Sequence, residues 1–114
     1  MGSSKRPDVT DEEIGMRTYQ IRKARAVERS LARMRQGLQS EWSKFTEPEI
    51  EMVSWILGEL WAYVPHSEWE ELHFGLLSVT DVRKILNHTR EMANHSRNSV
   101  DVLGDVQAIV VSKG

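Results

Sequence analysis

Met16 to Phe45 reads MRTYQIRKARAVERSLARMRQGLQSEWSKF, and two helical spacings superposed on this stretch decide the fold. Ala24, Val27, Leu31, Met34 and Leu38 recur at the three- and four-residue intervals of one face of a helix, a row that Trp42 and Phe45 extend. At about 100° per residue, Arg22, Arg25, Arg29 and Arg33 fall within roughly a quarter of the circumference on another side. One helix is thus expected to be core on one side and a cationic rail on the other. The helix should start near Thr10, an N-cap residue followed by Asp11, Glu12 and Glu13, which oppose the positive end of the helix dipole. It should run to about Phe45, weakened at Gly15 and Gly37, with a bend or break near the second.

Downstream, Thr46-Glu47-Pro48-Glu49 is a capping-box pattern with proline in the first turn, which opens a second helix from about Glu47 to Tyr63. Its apolar residues leave only a narrow polar strip at Glu51, Ser54 and Gly58, so this helix should be central. Pro65 ends it. Ser67-Glu68-Trp69-Glu70 repeats the capping pattern and predicts a short third helix to about Leu77. Ser78 then caps a fourth helix, Val79 to Leu103, whose seam passes through Thr89, Ala93 and Ser96 and stops at Gly104. Residues Asp105 to Val111 suit a short strand, a last helical turn or the start of further chain.

The expected architecture is all-α with four principal helices: a long two-faced first, a buried second, a short third and a long fourth. A flexible leader (1–9) precedes a single helical domain (10–104) and a C-terminal tail (105–114). A long two-faced helix is hard to cover within one domain of 114 residues, so a helical homodimer is expected.

Composition narrows the chemistry. Four tryptophans and ample aliphatic residues exclude a wholly disordered chain, and the absence of cysteine excludes disulfide scaffolds, thiolate zinc sites and cysteine catalysis. Met52 to Val64 is the most apolar stretch. It is too short to span a bilayer and carries Glu59, and no secretory signal precedes it, so a cytoplasmic or nuclear protein is expected, neither secreted nor membrane-bound. Net charge is only −2, but it is segregated. Arg17, Arg22, Lys23, Arg25, Arg29, Arg33 and Arg35 lie together with Glu28 as the sole acid, whereas Phe45 to Val82 holds acids and no Lys or Arg.

Neither a phosphate-cradling glycine loop, nor a nucleophile elbow, nor a HExxH pair is present, and no enzyme or cofactor is expected. His88, Glu91 and His95 share a helix face, but seven residues separate the two imidazoles by about 10 Å along the axis, too far to share one zinc. His66 and His73 have the same spacing. The Asn87-His88-Thr89 and Asn94-His95-Ser96 sequons fall within an expected helix and are discounted.

The arginine stripe remains. Guanidinium groups about 6 Å apart suit the repeating phosphates of duplex RNA or DNA, read as shape rather than as bases. Arg22, Arg25, Arg29 and Arg33 are the expected nucleic-acid-binding residues of a small regulator, with Tyr19 beside Arg22 as a contact to a sugar or base. The same stripe also suits an acidic protein partner. An adaptor or inhibitor, or a structural subunit of a phage or viral assembly, is therefore the alternative expectation. The tryptophans are interleaved with aliphatics and acids, which marks them as core or interface rather than a base-stacking platform.

Overall fold

The computed structural model describes residues 11–112; the expected leader and the Thr10 cap lie outside the described residues. Helix α1 spans Asp11–Leu38 and passes directly into a 3₁₀ segment, Gln39–Lys44. Helix α2 spans Glu47–Tyr63, α3 His66–Trp69, α4 Val79–Ala93 and α5 Ser99–Val111, with a further 3₁₀ turn at Phe74–Leu76. The described residues contain no strand, and no helix among them is long and apolar enough to cross a membrane.

The second helix begins where its capping box dictates. Thr46 Oγ1 accepts from the Glu49 amide at 3.3 Å, and Glu49 Oε1 accepts from the Thr46 amide at 2.9 Å. Ser78 and Asp81 form the same reciprocal pair at the start of α4, at 3.2 and 2.8 Å. Helix α2 packs against α1, α4 and α5. Val53, Ile56, Leu57, Leu60 and Trp61 are buried along it, so it is the central element its composition predicts.

Gly58, expected on the polar strip, is buried. A Cβ there would meet the Lys23 side chain at 2.9 Å and Val27 at 3.9 Å, so its missing side chain lets α1 lie close to α2. Gly37 has a similar role. The expected break near it falls one residue later, so α1 ends at Leu38 and does not run on to Phe45 as expected; the Gly37 Cα faces the Gly75 backbone of the Phe74–Leu76 turn, and any Cβ would collide with the Gly75 carbonyl oxygen. The α-helix gives way soon after this contact, at Gln39, which takes a left-handed φ of 53°.

The expected third helix to Leu77 is overturned. Helix α3 holds four residues and begins at His66 behind Pro65, so Ser67 lies inside it and its capping box does not form. Beyond α3 the chain turns back so that Leu72, Phe74 and Leu77 are buried, with Phe74 fully covered.

The expected fourth helix is two helices, making five in all among the described residues. It stops at Ala93, and His95 takes φ 61°, a left-handed conformation that a continuous helix does not contain. Two acceptors replace the lost helical ladder. The Glu91 carbonyl accepts from the Ser96 and Arg97 amides, and the Asn98 side chain caps α5 by accepting from the Val100 amide at 2.8 Å. Arg97 then reaches Glu91 at 3.3 Å and Asp105 at 2.6 Å, bracing the corner. The predicted seam is consequently interrupted after Thr89: Ala93, Ser96 and Val100 are exposed, and Leu103 at its end is buried from α5. Gly104, expected to terminate a helix, lies within α5, and the expected boundary at 104/105 falls inside the same helix. Val102, Leu103, Val106 and Val110 of α5 complete the core.

Candidate nucleic-acid interface

Burial along α1 rises toward its C-terminal end. Gly15 to Arg22 are all exposed, Val27 and Leu31 are half-buried, and Met34 and Leu38 are fully in the core. Ala24, expected in the apolar row, is exposed, whereas Ala26 is half-buried and Ser30 is buried. Ser30 disposes of its hydroxyl by donating to the Ala26 carbonyl at 2.8 Å. At about 100° per residue, Ala26 and Ser30 lie between the arginine stripe and the apolar row. Burying them rotates α1 toward the stripe. The arginines therefore stand at the edge of the helix contact rather than directly opposite it.

This rotation converts the stripe into one bank of a groove. Arg22, Arg25, Arg29 and Arg33 line it together with Ala26 and Ser30, and the groove encloses about 540 Å³. The opposite bank comes from the end of α2 and from α3 and the residue after it: Trp61, His66, Trp69 and Glu70. All four sequence-predicted arginines are thus brought to one concave surface. The tryptophans and the histidine on the far bank are not legible as its partners, because they lie more than twenty residues away and among acids in the sequence.

Arg33 differs from the other three. Its guanidinium donates to the Leu72 carbonyl at 2.8 Å and lies over the Phe74 ring, 5.8 Å from the centroid. It fastens α1 to the segment after α3. Among the described residues, no ion pair joins Arg22, Arg25 or Arg29 to a carboxylate. The acids that form ion pairs do so elsewhere. Glu49 takes Arg83 and Arg90, Glu91 takes Arg97 and His88, and Asp105 takes Arg97. The Arg83 guanidinium also covers the Phe45 ring at 4.6 Å.

Tyr19 lies one turn before the groove and contributes no lining to it. Its ring meets that of Trp61 at 5.0 Å in a tilted arrangement. Trp61 is only 5 % exposed, and the His66 imidazole stacks on it at 4.1 Å with 20° between the planes. Trp42 and Phe45 pair beyond the far end of α1, and Trp69 packs on Phe74 at 5.2 Å. Trp42, Trp61 and Trp69 are therefore core or its margin, as their neighbours in sequence suggest, while Trp55 is 45 % exposed.

The two histidine pairs with helical spacing separate in the fold. His88 Nδ1 lies 3.2 Å from Glu91 Oε1 and 3.0 Å from the Arg97 guanidinium, and His95 sits in the corner after α4 rather than on the same helix face. His66 opens α3, whereas His73 lies beyond its end. Fold and site together define an all-helical protein with a cationic groove whose far bank is aromatic. No family model, curated protein or solved structure matches this chain.

Proposed function

We propose that the protein is a small non-enzymatic regulator that binds the backbone of RNA or DNA along α1, with Arg22, Arg25 and Arg29 taking successive phosphates. The observation that carries this reading is the groove: three guanidinium groups without carboxylate partners among the described residues, on one bank of one concavity. Surface arginines destined only for solvation gain nothing from this arrangement. Planar guanidinium forks in a row instead match anions that themselves recur along a chain. Arg33 contributes charge to the same bank while holding it in place. Helix α1 also exposes Met16 and Ile21, and α2 exposes Trp55, surfaces that a second copy would cover in the homodimer this reading includes.

The test is a variant with Arg22, Arg25 and Arg29 all replaced by glutamine. Arg33 stays, because its hydrogen bond to Leu72 makes it part of the fold. Binding to duplex RNA and duplex DNA is measured by fluorescence anisotropy over a salt series. The variant should lose most affinity, and each lost phosphate contact should flatten the slope of log affinity against log salt by roughly 0.7 to 0.9. Arg35→Gln, on exposed surface off the groove, should change little. Binding that survives the triple replacement with an unchanged slope rejects the reading. If the triple variant instead releases an acidic protein partner, the groove belongs to an adaptor.

A further inference from the structure

We infer that the groove takes an unpaired nucleotide, with its phosphate on the α1 arginines and its base laid on the outer face of His66. This rests on the nucleic-acid reading above and adds to it the strand state that the groove selects. A backbone rail needs no aromatic bank, and this groove has one. His66 is exposed, lines the groove opposite Arg22, Arg25 and Arg29, and has its inner face fixed against Trp61 at 4.1 Å. Trp61 is itself buried and also meets the Tyr19 ring at 5.0 Å. The imidazole is therefore an exposed ring already stacked on a buried one, and its position does not have to be ordered when a ligand arrives.

The faces of a base inside a duplex are covered by its stacked neighbours, so a paired base cannot lie on His66. A splayed-out base can, which is how aromatic side chains take bases from loops, bulges and single strands. Volume agrees. A space of about 540 Å³ is on the scale that holds a ligand of nucleotide size. Charge gives the nucleotide a direction across the groove. Glu70 lines the aromatic bank and repels phosphate there, leaving the arginine bank for the backbone. A carboxylate beside a base also accepts a hydrogen bond from an exocyclic amino group, which cytosine carries and uracil lacks.

The experiment uses the full chain and four RNAs that share one duplex: fully paired, with a single unpaired cytidine, with a single unpaired uridine, and with an abasic nucleotide at the same position. Anisotropy at one fixed salt concentration should show the cytidine bulge binding about tenfold tighter than the paired duplex, the order of one base–aromatic stack. The uridine bulge should fall between them, and the abasic bulge should match the duplex. His66→Ala should remove the bulge preference and leave the salt slope unchanged; His66→Phe, which keeps a stacking ring, should retain it. An abasic bulge that binds as tightly as the cytidine bulge, or a preference that persists in His66→Ala, overturns the inference and leaves the backbone reading standing. Absence of binding to all four RNAs overturns both.

Discussion

A glycine in the interior of a helix ordinarily costs stability relative to alanine, and Gly37 inverts that rule. Its place in α1 is set by a backbone approach to Gly75, where a methyl group would meet the Gly75 carbonyl oxygen. Gly37→Ala gains up to about 1 kcal/mol of helix propensity, but overpacking against a backbone commonly costs about 1 to 3 kcal/mol. The expected outcome is a net loss of about 1 to 2 kcal/mol, because the clash is with backbone that cannot rotate away, read as a lower urea midpoint with an unchanged m-value. Gly15, where a Cβ meets nothing within 4 Å, supplies the control, because the same substitution there should not destabilise. The sequence shows two glycines in one helix and does not distinguish them. What distinguishes them is Gly75, which lies in a turn well beyond the end of that helix.

Among the elements, α2 is the most legible in the sequence, because everything that starts it is local. Thr46 and Glu49 cap each other, Pro48 presets the first turn, and no tertiary contact is needed. Glu49 also carries a longer-range role. Its carboxyl is held below its ordinary 4.5, first by the hydrogen bond from the Thr46 amide and then by the nearby Arg83 charge, against some desolvation. A depressed carboxyl stabilises the fold in full above the unfolded value and loses that contribution as pH falls through the lower folded value. Stability should therefore hold from about pH 7 to about pH 4.5 and decline below it. Asp105, lowered from 3.8 chiefly by its hydrogen bond from Arg97, acts in the same direction at slightly lower pH. Urea midpoints taken from about pH 7 to about pH 3 check this, and Glu49→Gln should be less stable at neutral pH and show a shallower acid decline. The end of α4 is illegible for the complementary reason, although its Ser78 cap and its start at Val79 are read correctly. An unbroken three-four spacing through Thr89, Ala93, Ser96 and Val100 is compatible with one helix. The left-handed His95 and the Glu91–Arg97–Asp105 bracing instead fold the chain back so that α5 can bury its valines.

Across the protein as a whole, the groove exists because three segments distant in sequence are fastened together. Arg33 is one fastener: it ties α1 to the Leu72 carbonyl and covers Phe74, which is fully buried. Arg33→Gln should cost about 1.5 to 3 kcal/mol, the range for a hydrogen bond made by a charged group, whereas replacing Arg22, Arg25 and Arg29 together should leave stability nearly unchanged. Thermal or urea unfolding of the two variants side by side measures the difference. Equal losses would show that the four arginines do not divide into one that builds the groove and three that serve it.

The all-helical class, the start of α2, the central place of that helix and the arginine stripe are all written in the chain itself. Each of these depends on periodicity, capping chemistry or composition, which act within a turn or two. Packing in three dimensions was needed to set the stripe against Trp61, His66 and Trp69, to commit Arg33 to the fold, and to divide the fourth helix in two. The rotation of α1 illustrates the reason. Ala26 and Ser30 are weak signals by hydrophobicity, but their small volume lets α1 settle with its arginines at the margin of the contact. How closely two helices can approach depends on both surfaces at once, and only one of those surfaces is encoded in the stretch where the stripe is read.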